Sequence, residues 1–206
     1  MKLTIFGASG KTGVELLKQA LEKKHLITAF VRDPYRLSIQ HDQVDVITGD
    51  VLKAENVAEA VQGQDAVVCV LGSNDLKKTT VRSKGTANII QAMKQENVQR
   101  LIVASAMGTG DSWDTLSSTG KFLYATVLKS SREDHEAQET AVKESGLDWT
   151  IIRPSGLTDE PKTGEYEVGD NIPAKTSRIA RADVADLILK ELEQNAFIGK
   201  AVTITN

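Results

Sequence analysis

The 206-residue sequence predicts a single-domain, doubly wound α/β fold, a parallel sheet with helices on both faces. Three observations carry that prediction. Short β-branched apolar runs alternate with helical patterns at least five times along the chain. A glycine-rich stretch, GASGKTG from Gly7 to Gly13, joins the first apolar run to the first helical pattern. No composition shift, repeat or low-complexity tract marks a second domain, so residues 1–206 read as one unit.

The apolar runs are LTIF near Leu3, LITAFV from Leu26, VDVIT from Val44, DAVVCVLG from Asp65, RLIVAS from Arg100 and DWTIIR from Asp148. Each lacks the polar alternation of a solvent-facing strand, so each is expected to be buried on both faces. Between them, TGVELLKQALEKK places Val14, Leu17 and Leu21 at helical spacing and leaves Lys18, Glu22 and Lys23 for solvent. ENVAEAVQG, TTVRSKGTANIIQAMKQEN, SSREDHEAQETAVKESG and RADVADLILKELEQ repeat the pattern, with Asp183 expected to cap the last helix. Strand and helix in alternation imply right-handed crossovers, which put helices on both faces of the sheet. Two stretches break the rhythm. AMGTGDSWDTLSSTG, from Ala106 to Gly120, is long, small and polar, and is a candidate lid. The irregular segment 154–179 is expected on the substrate side, and its part from Pro154 to Ala174 holds three of the four prolines.

Composition narrows the partners. A net charge of −3, with 40% hydrophobic and 26% charged residues, gives no footprint for nucleic acid. One cysteine, Cys69, forms no internal disulfide and is expected in the core; without a Cys/His cluster no metal site is proposed. The N-terminus is too short in apolar residues for a signal peptide, and no run suits a membrane span. The expectation is an unprocessed cytoplasmic protein whose partners must be read from local sites.

The glycine stretch explains which small molecule. Unpaired N–H groups and the helix dipole make a helix N-terminus a phosphate seat. Gly7 is expected to make the turn out of the strand, Gly10 to let backbone approach a diphosphate, and Gly13 to allow close helix packing. Ser9, Lys11 and Thr12 add donors. The motif follows a strand, opens a helix and precedes a second strand, a context that favours a dinucleotide over a plain turn and makes the sheet a Rossmann fold. After that second strand comes FVRDPYRL. An acidic residue there would select NAD(H), whereas Arg32 and Arg36 suit the 2′-phosphate of NADP(H), the expected cofactor. The alternative is that Arg32 pairs with Asp33 or another surface acid. Ligands in such sheets sit beyond the carboxyl ends of the strands, which adds Gly49, Asp50 and Val51, then Leu71, Gly72 and Ser73, then Ser105 and Ala106, and finally Arg153 and Pro154.

GASGKTG, VRD, GDVL at Gly49, GQDAVVCVLGSNDL from Gly63, TTVRSKGTANIIQAMK from Thr79 and TGEY together resemble the flavin reductase/biliverdin-IXβ reductase family, atypical short-chain dehydrogenases related to NmrA-like NADP-binding proteins. The resemblance implies a single-domain, usually monomeric Rossmann fold and NADPH-dependent reduction of flavins and, in some members, linear tetrapyrroles. It also implies that Ser105 lies near the nicotinamide and His135 by the substrate pocket. The later chain departs from the family: Gly156 stands in place of a pocket histidine, and Arg153-Pro154 replaces an apolar-proline pair. The loop from Ala106 onward also differs.

Ser105 and His135 are therefore the catalytic candidates. Ser105 alternatively ends a buried strand on its own backbone, and His135, in the charged SSREDHEAQE, alternatively faces solvent. With an ordinary pKa near 6.5, His135 would serve as a proton donor under a closed pocket. Tyr124 and Lys129, five apart, miss the four-residue spacing of a Tyr-Lys pair, although Tyr124 remains a candidate for lining the pocket. Trp113 is either a stacking surface for a planar ligand or a loop anchor, and Ser155 completes the substrate candidates. The resulting expectation is hydride transfer from NADPH to a planar acceptor: a flavin held as substrate and not as a resident group, a quinone or a bilin. The rival is a non-catalytic NADP(H)-binding sensor of the NmrA type. A sugar-nucleotide epimerase or isoflavone-reductase-like enzyme is disfavoured by the missing Tyr-Lys spacing and the short C-terminal portion.

Overall fold

The computed structural model describes residues 1–73, 79–174 and 176–206. Part of the family-like motif GSNDL, and Lys175 of the irregular segment, lie outside them. Strands β1 (Lys2–Phe6), β2 (Leu26–Val31), β3 (Val44–Thr48), β4 (Ala66–Cys69), β5 (Arg100–Ala104) and β6 (Asp148–Pro154) are the six apolar runs of the sequence. Helices α1 (Lys11–Glu22), α2 (Ala54–Val61), α3 (Val81–Gln95), α5 (Lys129–Lys143) and α6 (Arg181–Gln194) are the expected crossovers. Strand order is β3-β2-β1-β4-β5-β6, all parallel, continued by β10 (Lys200–Thr205) beside β6 and then by β8 (Glu167–Gly169), which runs antiparallel to β10. A separate two-stranded sheet pairs β7 (Gly156–Thr158) with β9 (Arg178–Ala180).

Alternating side chains of each central strand enter two apolar layers. Leu3 and Ile5 of β1, with Ala66 and Val68 of β4, pack under α1 and α6; Phe6, Val67 and Cys69 pack under α2, α3 and α5. A strand covered on both faces needs apolar residues at successive positions, which is why these runs are unbroken. β3 is the exception. At the sheet edge it exposes Asp45, Val46 and Thr48, so it is half-solvated and not buried on both faces. β10 and β8 have no counterpart among the elements expected from the sequence, and neither does α4 (Ser118–Thr126), which follows a 3-10 turn at Gly110–Thr115.

Strand order reverses between β1 and β4, so chain leaves these neighbouring strands toward opposite sides and opens a crevice at their carboxyl ends. Farther along the sheet, Glu191 of α6 ties four segments together. Its carboxylate accepts from Arg100 Nη2 (2.8 Å), Thr150 Oγ1 (3.0 Å), Ala196 N (3.0 Å) and Phe197 N (2.9 Å). This joint fixes the starts of β5 and β6 and the return of the chain into β10. Asp183 does not cap α6: Ala180 occupies that position, and the buried Asp183 carboxylate accepts from Thr163 N, Thr163 Oγ1 and Gly164 N. It anchors the irregular segment to the helix. Glu191→Ala strands the Arg100 guanidinium in the interior and is expected to cost about 3–5 kcal/mol, a fall in melting temperature of roughly 10 °C for a chain of this size; calorimetry checks it.

Candidate active site

The crevice begins at the glycine loop. Gly7 has φ +90°, and a Cβ there would stand 2.6 Å from Val70 O, so only glycine permits β1 to turn against β4. A Cβ at Gly13 would fall 2.2 Å from Gly7 O and 2.8 Å from Ala8 Cα. Gly13 thus seats α1 on its own loop, where closer packing on the sheet had been expected. Gly10 is the N-cap of α1, and no side chain caps the helix. The first-turn N–H groups therefore remain available for an anion. A Cβ at Gly10 would meet only Gly7 O, at 3.2 Å, and one at Gly72 would meet nothing within 4 Å. This open, glycine-lined cradle fits a dinucleotide diphosphate, with Ser9 and Thr12 half-buried beside it.

At the end of β2, Arg32 and Arg36 are exposed. Asp33 does not pair with Arg32: its carboxylate accepts from Tyr35 N (3.0 Å) and caps a short 3-10 turn at Pro34–Arg36. Arg36 also lines a surface cavity of about 700 Å³ with Ser9, Lys11, Ser38 and Asp159, and Lys11 meets Asp159 at 2.5 Å. The end of β3 is less accessible than expected. Val51 packs into the core, its carbonyl accepting from Asn88 Nδ2 (2.8 Å), and Asp50 is engaged with Asn56 and Leu52. Leu71, Gly72 and Ser73 keep partial or full exposure.

The chemistry-bearing end lies where β5 and β6 face α5. Arg153, fully buried at the end of β6, donates from Nε to Glu139 Oε1 (2.9 Å) and from Nη2 to Glu139 Oε2 (2.6 Å). Nη2 also meets Asp111 Oδ1 at 2.7 Å, and Nη1 reaches Asn171 Oδ1 at 3.5 Å. Asn171 in turn donates to Asp111 Oδ2 (3.1 Å). Each nitrogen of this guanidinium has a protein partner, which turns the Arg153 side chain toward α5 and away from a cofactor role. Its neighbour Pro154 is buried, and its carbonyl accepts from Met107 N (2.9 Å), a bond that holds the chain just past Ala106. Ser105 donates from Oγ to Glu139 Oε1 (2.7 Å) and stands 3.4 Å from His135 Nδ1. Burial pushes the Glu139 pKa upward, but hydrogen bonds and charge from Arg153, with the Ser105 hydroxyl, outweigh it and hold the carboxylate ionised.

His135 is 7% exposed, so it is neither solvated nor an ordinary histidine. Burial first, and then the Arg82 charge, lower its pKa to about 4. The imidazole is therefore neutral near pH 7, and the expected role as an imidazolium proton donor fails. His135 and Glu139, four residues apart on α5, share the face turned toward Ser105. Glu139 was not among the residues expected from the sequence, although that spacing was there to be seen.

Two aromatic candidates differ in their freedom. Arg132 lies 4.6 Å over the Trp113 ring, which makes Trp113 an anchor for the 3-10 turn through a cation–π contact. Tyr124 is on α4 and Lys129 on α5, so the two never share a helix, and separation on different helices, more than their spacing, excludes a Tyr-Lys pair. Burial raises the Tyr124 pKa beside Arg82. The buried Ser155 Oγ has no hydrogen-bond partner, and Cys69 is a core thiol. An NMR titration of the imidazoles is expected to give His135 a midpoint near 4. Because its folded pKa lies below the unfolded value, His135 contributes stability that is full above about pH 6.5 and is lost as pH falls toward about 4; a midpoint near 6.5 contradicts the buried placement.

Comparison with known proteins agrees with this geometry. The chain is 30% identical over its whole length to YwnB of Bacillus subtilis, covering 99% of that protein. It is 25% identical to the chloroplastic protein At2g34460 of Arabidopsis thaliana, with 98% of this chain and 76% of that one covered. Among solved structures, the oxidoreductase YlbE of Lactococcus lactis superposes with a TM-score of 0.87 at 27% identity, over 100% of this chain and 91% of that one. The anaerobilin reductase ChuY of Escherichia coli shares the fold with a TM-score of 0.83 at 24% identity, covering 100% and 97% of the two chains. A family model described as NAD(P)H-binding matches residues 7–195, and the chain belongs to that family.

Proposed function

We propose that the protein is an NADPH-dependent reductase that delivers hydride to a planar conjugated acceptor: a flavin, a quinone or a linear tetrapyrrole. One observation carries the choice of acceptor. Ser105, the hydroxyl at the end of β5, is committed to Glu139, and its neighbour His135 is neutral, so neither supplies a strong acid. Reduction of an isolated ketone creates a strongly basic alkoxide that needs a proton from the protein as it forms. A conjugated acceptor spreads the incoming charge and takes its proton from water, which suits these residues.

The bound dinucleotide supplies the hydride. The chain's own part is positioning. Gly7, Gly10 and the first turn of α1 would hold the diphosphate, and Arg32 with Arg36 the 2′-phosphate; Lys11 would join them on release from Asp159. Leu71, Gly72, Ser105 and Ala106 would border the nicotinamide side. Arg153, through Glu139 and Asp111, would hold α5 and the segment after Ala106 around the acceptor. That a protein with the same fold is an anaerobilin reductase supports including bilins among the acceptors. Among the described residues no helix is long and apolar enough to cross a membrane. We infer a monomer working in the cytoplasm, where a single buried thiol needs no oxidative protection.

The non-catalytic sensor gains no specific observation. Arg32→Ala is expected to weaken NADPH binding about ten- to a hundredfold, the loss of one or two charge-assisted bonds, with NADH affinity unchanged; equal effects on both would remove Arg32 as the selector. Purified protein should oxidise NADPH with FMN, a quinone or biliverdin as acceptor, and turnover with none of them would leave the sensor reading.

A further inference from the structure

Three arginines are buried, and two are fully paired. Arg100 donates to Asn195 Oδ1, Asp148 O and the Glu191 carboxylate, and Arg153 to Glu139, with Asp111 and Asn171 beside it. Arg82, in the first turn of α3, is not. It is 8% exposed, yet among the described residues Nε and Nη1 are both buried without a hydrogen-bond partner. Among the described residues its nearest acid is Asp134, a buried ion-pair partner whose oxygen lies 3.6 Å from Nη1, longer than an ordinary hydrogen bond. That carboxylate is already engaged by Arg82 N (3.2 Å), Ser83 N (3.0 Å) and Ser83 Oγ (2.6 Å), the bonds that hold α5 to the start of α3.

Two buried, unused donors on a guanidinium are destabilising and call for a reason, which a bound anion would supply. Its surroundings indicate the ligand. Asp134, which meets both the Arg82 guanidinium and its N–H, directly precedes His135 on α5, and the Arg82 charge acts on His135 and on Tyr124 of α4. His135 in turn stands by Ser105, so Arg82 borders the space where an acceptor would meet the nicotinamide. Of the two buried guanidinium groups there, Arg153 has a protein partner at each nitrogen. Arg82 is the group with donors to give.

We infer that Arg82 anchors an acidic group on the acceptor, a carboxylate or phosphate carried by the planar molecule that receives hydride. This rests on the reductase reading of the site. It makes the preferred acceptors acids such as a flavin phosphate or a bilin with free propionates, over their neutral counterparts.

Two matched pairs test it: FMN against riboflavin, and biliverdin against its dimethyl ester. Binding is measured with NADP+ present, by flavin fluorescence and bilin absorbance, so no turnover is needed. Wild type is expected to bind the acid of at least one pair about tenfold or more tightly than its neutral partner, the worth of one charge-assisted bond. Arg82→Met is expected to abolish that preference and Arg82→Lys to retain part of it. Arg82→Met also takes the ion-pair partner from the buried Asp134 carboxylate, so its melting temperature is expected to fall and the binding comparison decides the matter. A merely structural arginine would lower the melting temperature and leave the acid preference unchanged. No acid preference in either pair, or a preference that survives Arg82→Met, overturns the assignment. Should Arg82→Met fail to fold, Arg82→Gln takes its place in the same binding comparison, with the same expected loss. Loss of all turnover with NADPH would sink the reductase reading alone, since these binding pairs report on Arg82 without it.

Discussion

The site is organised around one buried ion pair, Arg153 with Glu139. Each ion alone would be strongly unfavourable at that depth, so each fixes the other, and two parallel hydrogen bonds set their relative orientation. Arg153 is rooted at the end of β6 and Glu139 in the middle of α5, so the pair sets the distance between sheet and helix where substrate chemistry would occur. Ser105 takes its orientation from the same carboxylate. The remaining guanidinium donors reach Asp111 and Asn171, and so draw the segment after β5 and the irregular segment before β9 onto one charge. Gly110 completes the joint: at φ +57° its absent Cβ would lie 3.1 Å from Arg153 Nη2, a place only glycine occupies without strain.

This network accounts for an otherwise odd helix. α5 is strongly polar, yet it buries Asp134, His135, Gln138 and Glu139 toward the sheet. Asp134 caps α3, Gln138 donates to Thr86 Oγ1 (2.9 Å), and Glu139 meets Arg153. Polar groups on the inner face are tolerated because their partners were built on α3 and β6. His135 gives up its proton easily because burial and the Arg82 charge both disfavour the imidazolium. Near neutral pH this part of the site holds the carboxyl groups of Asp134 and Glu139, two guanidinium groups and a neutral imidazole. Such a set orients and neutralises charge; it does not deliver protons.

The fold was legible because its signals are local. Six apolar runs and their intervening helical patterns carry the parallel sheet, and the glycine stretch marks the crevice where strand order reverses. The glycine loop was legible for the same reason, since the turn at Gly7 and the uncapped helix start at Gly10 are written in the residues themselves. What was lost depends on distant partners. KAVTIT, the strand β10, mixes polar and apolar residues, and its polar positions are buried only because β6 and β8 flank it. The inner face of α5 resembled a solvated surface because the sequence does not reveal that Arg153 and Ser83 stand opposite it. Arg153, Val51 and Asp183 were placed correctly along the chain. Their side chains were misread, each being drawn away by a partner far off in sequence or by the core.

Hydride delivery to a conjugated acceptor, without an acid supplied by the protein, predicts how turnover depends on pH. With NADPH and a quinone or flavin at saturation, kcat is expected to stay level between about pH 5.5 and 8, because His135 is already neutral throughout that range. A rate that falls tenfold per unit above a pKa near 6.5 would show a protonated histidine taking part and would contradict acid-free delivery.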